Sequence, residues 1–160
     1  MGDSITAQPS DDTIKAHIES LVQTQLPNSA IYNFLLSNVC IVSATRGNVK
    51  ARLTLTRNHI NSGGGIHGAV SAAIVDWAGG MAIATWDLRN KTGVSVDIHV
   101  RYLSSAREGD EVEIEGIADK VGGSIGFTQV VIRKVQDGVA GTVIASGTHT
   151  KYVKLKETKS

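Results

Sequence analysis

Residues 68–86 read GAVSAAIVDWAGGMAIATW, and the reading of this run decides the fold. It is long, almost uncharged, and built mainly on Ala and Gly. By length alone it could be mistaken for a membrane span. Asp76 stands near its middle, however, and an acid at a bilayer centre costs about 3 kcal/mol even on the gentlest scale. The run is therefore expected to be a buried helix, apolar nearly all round because other elements wrap it. No membrane span is expected.

The flanking sequence says what does the wrapping. Upstream, Val49, Ala51, Leu53 and Leu55 alternate with Lys50, Arg52, Thr54 and Thr56, the pattern of a strand with one buried face. A shorter strand is expected near Val39 to Ala44, with a turn at Arg46-Gly47-Asn48. Gly63, Gly64 and Gly65 make a permissive loop that delivers the chain to the helix near residue 67. Downstream, Val94, Val96, Ile98, Val100 and Tyr102 alternate with Ser95, Asp97, His99 and Arg101 in the clearest strand of the chain. Turns at Glu108-Gly109-Asp110, Gly122-Gly123 and Asp137-Gly138 separate three more strands, the last reaching Val153. Near the start, Ile14, Ile18, Leu21 and Val22 recur at helical spacing behind Asp11 and Asp12, and Pro27 closes that helix. A further helical piece spans Ala30 to Leu36. The expected organisation is an N-terminal helical extension over 1–37, one α+β domain over 38–153, and a charged tail over 154–160. In that domain an antiparallel curved sheet wraps the long central helix.

Composition narrows the function classes. The chain has 160 residues, 41% hydrophobic, and a formal net charge of +1, so there is no broad basic field to hold a nucleic-acid backbone. Cys40 is the sole cysteine, which leaves no intramolecular disulfide and no CxxC pair. Within Val39-Cys40-Ile41-Val42 it is expected to be a buried structural thiol. The first residues, MGDSITAQPSDD, lack the features of a secretory signal and carry acids that transit peptides avoid. Met1-Gly2 with Thr6 matches a myristoylation pattern that is short and often met by chance. A cytoplasmic location is expected, with a mitochondrial one as the alternative.

Asp76 is the one ionisable side chain within residues 68–86. A carboxylate there is costly unless it is hydrogen-bonded or reaches a wet cleft, and a structural acid is the plain alternative. The start of the same helix offers unpaired N–H groups and a positive dipole end, and Gly68 would let a carbonyl oxygen approach them. A helix N-terminus, a glycine and a helix-borne carboxylate are suitable parts for acyl transfer to water.

The run from Asn61 to His67-Gly68, with Asp76 nine residues after His67, resembles the hotdog-fold thioesterases of the PaaI-like group. The likeness continues through Gly93 to Asp97, Tyr102-Leu103-Ser104, the strand with Phe127, and Ala145 to Lys151, covering roughly residues 38–153. The resemblance implies hydrolysis of acyl-CoA thioesters to a free acid and coenzyme A. In that reading Asp76 is general base or nucleophile and comes from the other subunit of a dimer. The Gly68 N–H polarises the thioester carbonyl, Asn61 holds the carbonyl geometry, Ser95 positions the attacking water, and His67 orients the loop and Asn61. No cofactor is implied beyond the coenzyme A of the substrate. A homodimer is expected, pairing further into a homotetramer, because a six-stranded sheet leaves open edges. One departure is visible: the family usually has a second glycine after His-Gly, and Ala69 stands there.

Other candidates are weaker. His17, His59, His99 and His149 show no metal-binding spacing, and His99 and His149 are expected to be ordinary polar residues on strand faces. Arg101, Lys120, Lys134 and Lys151 could serve the coenzyme A phosphates, but each reads first as a solvated surface charge. Ser62, Ser71 and Ser124 lack the G-x-S-x-G frame of a serine hydrolase. Two rivals remain open: a hotdog protein that binds an acyl ligand without turnover, and a hotdog hydratase or dehydratase.

Overall fold

A computed structural model describes residues 7–154; the myristoylation pattern and most of the charged tail lie outside the described residues. Ser10 caps α1 (Asp11–Asn28), accepting from Thr13 N, and Ile14, Ile18, Leu21 and Val22 form its buried stripe. Pro27 falls inside the last turn of α1. Ser29 then caps α2 (Ala30–Leu36), whose Leu35 and Leu36 are buried. The strands are β1 (Cys40–Thr45), β2 (Asn48–Thr54), β3 (Val94–Tyr102), β4 (Glu111–Val121), β5 (Ile125–Gln136) and β6 (Val139–Tyr152). Between β2 and β3 lies the central helix α3 (Gly68–Asp87).

The strands form one antiparallel sheet in the order β1-β2-β4-β5-β6-β3. Short turns join β4 to β5 and β5 to β6. At the second turn Asp137 and Gly138 both take positive φ, 51° and 77°, as a tight two-residue hairpin requires. The sheet wraps α3 as expected. Ile74, Val75, Trp77 and Met81 share one buried cluster with Val49, Leu53, Val112, Ile114, Val130, Ile132 and Ile144. The approach is close: a Cβ at Gly116 of β4 would lie 2.6 Å from the Ala78 carbonyl oxygen. α3 is long and apolar enough to cross a membrane, but here most of it is enclosed by its own sheet.

Two expectations fail at the sheet edges. Cys40 is exposed, because alternation along edge strand β1 turns Val39 and Ile41 toward the core and leaves Cys40 and Val42 outside. β3, at the other edge, is exposed along almost its whole length; Val94 and Val96 are 61% and 59% accessible. β3 also carries a bulge: Ser95 pairs with Lys151 and Asp97 with Thr150, leaving Val96 as the extra residue. A bulge resets the alternation. Ser95 does not follow Asp97 and His99 to the polar face; it lines the same cleft as Ile98.

Candidate active site

The loop before α3 is tied by its own asparagine. Asn61 Oδ1 accepts from the N–H groups of Gly63 (2.8 Å) and Gly65 (3.3 Å), and Nδ2 donates to Ile66 O at 3.4 Å. Gly64 has φ of +81°, and a Cβ at Gly65 would lie 2.4 Å from Ser105 Oγ, so two of the three glycines answer to local geometry. His67 caps α3: its Nδ1 accepts from Ala69 N at 3.0 Å, and its backbone N–H donates to His59 O at 2.8 Å. His67 thus fixes the corner between loop and helix through Ala69, with no hydrogen bond to Asn61. Gly68 occupies the first helical position, where the N–H has no intrahelical carbonyl to meet.

Further along one face of α3, Ala69, Ala72, Ala73 and Asp76 follow at helical spacing and floor a cleft of about 490 Å³. Ser29, Ile31 and Tyr32 close it from the N-terminal extension, and Ser95 and Ile98 from β3. The methyl group of Ala69 faces this space. Small side chains make a wide, apolar floor that ends at the single carboxylate.

Asp76 is held on both oxygens. Ser95 Oγ donates to Oδ1 at 3.2 Å, and Tyr32 Oη donates to Oδ2 at 2.5 Å. His149 Nε2 lies 2.9 Å from Ser95 Oγ and 3.6 Å from Asp76 Oδ1. Since Ser95 gives its only proton to Asp76, its oxygen is left to accept, and the tautomer that fits is His149 with its proton on Nε2. His149 Nδ1 is then an unprotonated acceptor, buried without a partner against Gly79. Burial, then the charge of Lys151, push the His149 pKa below its ordinary value, against the opposing pull of Asp76. The imidazole is therefore neutral at neutral pH. Lys151 is only 5% exposed, and burial lowers its pKa while the Asp76 charge raises it.

Asp76 and Ser95 are therefore together, within hydrogen-bond distance. Asn61, His67 and Gly68 form a second group at the start of the helix. Eight residues separate Gly68 from Asp76, so the two sites on α3 are about 12 Å apart along its axis. Within one chain they cannot act on the same carbonyl. His149 and Lys151 are not the surface residues expected. β6 alternates Ala145, Gly147, His149, Lys151 and Val153 on its buried face, and that shared phase with apolar residues was the available signal. Tyr32 gave no signal, since a contact across 44 residues of sequence exists only in the fold. His99 is exposed, as expected. His59 is a satisfied core residue: Nδ1 accepts from Thr56 N, and Nε2 donates to Leu35 O at 2.7 Å. No group of three or more His, Cys, Asp or Glu side chains placed to hold a metal ion occurs among the described residues.

Comparison with known proteins identifies the lineage. The family model for the thioesterase superfamily matches residues 63–140, a span that includes the glycine loop, all of α3 and the Ser95 bulge. Human acyl-coenzyme A thioesterase 13 is 33% identical over 119 residues, covering 74% of this chain and 82% of the relative. Zebra fish thioesterase superfamily member 2 superposes with a TM-score of 0.74 at 30% identity, covering 91% of this chain and 99% of that one. A Streptococcus mutans protein solved with acetyl CoA bound shares the fold at 22% identity and a TM-score of 0.63, over 74% of this chain and 90% of its own. With its antiparallel sheet wrapped around α3, the chain belongs to the thioesterase superfamily and is a thioesterase of the hotdog fold.

Proposed function

We propose that the protein hydrolyses acyl-CoA thioesters to a free carboxylic acid and coenzyme A, with Asp76 as general base. The observation that carries this reading is the carboxylate itself. It stands at the end of an apolar cleft, fixed by Ser95 and still 30% accessible. A carboxylate has about four lone-pair positions, so with two donors bound it can still accept from a water. Asp76 takes a proton as the water oxygen bonds to the thioester carbon. The resulting oxyanion is met by a Gly68 N–H, and collapse breaks the C–S bond, the thiolate leaving to be reprotonated. Because Gly68 and Asp76 of one chain lie about 12 Å apart, the N–H belongs to a second copy of the chain. The exposed apolar edge of β3 is a surface on which two copies can join, and dimers can pair further into tetramers.

Ser95, Asp76 and His149 contain the residue types of a nucleophilic triad but not its order. The carboxylate bonds to the serine, and the second nitrogen of the histidine is unpartnered. A histidine that donates to Ser95 cannot also take its proton, so Ser95 orients and does not attack. Support for coenzyme A as the carrier comes from the named activity of the human relative and from the acetyl CoA seated in the S. mutans hotdog fold. The test is release of free thiol from a panel of acyl-CoAs of different chain length and aromatic character. Steady thiol release is expected. Hydration of an enoyl-CoA without thiol release, or tight acyl-CoA retention with neither, would overturn the proposal.

A further inference from the structure

The N-terminal helices lie outside the segment matched by the family model, yet one of their side chains reaches the catalytic carboxylate. α2 is anchored at both ends. Ser29 Oγ accepts from Tyr32 N at its start, Leu35 and Leu36 are buried in the core, and Leu35 O accepts from His59 Nε2. The half-buried Tyr32 is thereby aimed at Asp76 Oδ2, the oxygen that Ser95 leaves free. The polar groups around Asp76 are Tyr32 from α2, Ser95 from β3, and His149 and Lys151 from β6.

We propose that Tyr32 is a positioning residue of the hydrolytic site, its hydroxyl holding the Asp76 carboxylate in the orientation that activates water. This rests on Asp76 being the base of the proposed reaction. It makes the N-terminal extension a working part of the site. Donors on both carboxylate oxygens restrict rotation of the group. Burial first, then the bond to Asp76, push the Tyr32 phenol well above its ordinary pKa, so at neutral pH it keeps the proton it donates. Ser95 alone fixes one oxygen and leaves the carboxylate free to turn about that bond.

Tyr32→Phe deletes one oxygen and keeps the ring in the cleft. The expected result is a fall in kcat of about tenfold, the loss of one hydrogen bond to a charged group, with KM changed less than about threefold. Asn33→Ala, on the exposed side of the same helix, keeps wild-type values and controls for disturbance of α2. The carbon-13 NMR resonance of the Asp76 carboxyl, compared between wild type and Tyr32→Phe at one pH, reads loss of the hydrogen bond without turnover. A chain that released no thiol from any acyl-CoA would refute the proposed reaction, and this spectrum would still decide whether Tyr32 holds Asp76. An unchanged Asp76 resonance overturns the inference. So does an unchanged kcat in Tyr32→Phe while Asp76→Asn is inactive. A rise in kcat also overturns it, since the phenol would then be an obstruction.

Discussion

β3 and β6 lie side by side in the sheet and obey opposite rules. β3 has the cleaner alternation, with Val94, Val96, Ile98, Val100 and Tyr102 at every second position, yet in the single chain it is exposed along nearly its whole length. β6 turns His149 and Lys151 inward, and both are buried. Alternation states which residues share a face. It does not state what covers that face. α3 covers β6 within the chain, and only another molecule can cover the apolar edge at β3. Burial of polar groups on β6 is costly, and Asp76, Ser95 and His149 offset it by facing one another.

The comparison breaks most easily at the edge. A Val94→Lys, Val96→Lys double variant should leave a folded monomer, judged by sedimentation, and lower thiol release by at least about 100-fold, because a site shared between copies is then incomplete. A variant that stayed oligomeric and active would remove the reason given for β3's apolar edge. Two histidines on neighbouring strands sharpen the contrast. His149→Ala removes the donor to Ser95 and opens a buried void, so kcat should fall about tenfold and stability by about 1–3 kcal/mol. His99→Ala on β3 should change the rate less than about threefold and stability by no more than about 0.5 kcal/mol. Equal effects on rate and denaturation midpoint would erase the distinction between the strands.

The smallest effect concerns pH. The folded pKa of His149 is depressed by burial, so between that value and the unfolded value of about 6.5 the unfolded chain binds more protons. Its contribution to stability is complete above the unfolded value and is lost as pH falls toward the folded one. The melting temperature should therefore decline on acidification below about pH 6.5, and His149→Gln should flatten that part of the curve. A curve of the same steepness in both proteins would place the acid sensitivity elsewhere.

Much of the fold was legible in the sequence, for local reasons. The α3 run, the strand periods and the glycine turns each depend on residues close together in the chain, and their order leaves little choice but a sheet around a helix. The site was legible in part. Asp76 stood out as the lone charge in an apolar helix, and Gly68 by its place at that helix's start. Ser95 was named by resemblance, but strict alternation put it on the wrong face. The bulge at Val96, which turns it inward, depends on pairing with β6 and leaves no local mark. His149 was misplaced because a histidine between threonines on a strand reads as solvent-facing unless its phase is compared with Ala145 and Val153. Cys40 was misplaced for the opposite reason: an apolar run on an edge strand buries only alternate members.

In the proposed reaction one catalytic site draws Asp76 from one chain and the Gly68 N–H from another. Proline at the first helical position is compatible with a helix and deletes that N–H, its added Cβ meeting the Tyr102 ring at 3.4 Å, and His67, at φ −70° and ψ 135°, already has the extended backbone proline demands of its predecessor. Gly68→Pro and Asp76→Asn should each lose most thiol release as pure oligomers. Co-expressed in equal amounts, they should recover about a quarter of the wild-type rate, because half of randomly paired dimers are mixed and each mixed dimer keeps one intact site. No recovery in demonstrably mixed dimers would contradict a shared site, since each chain would then complete its own.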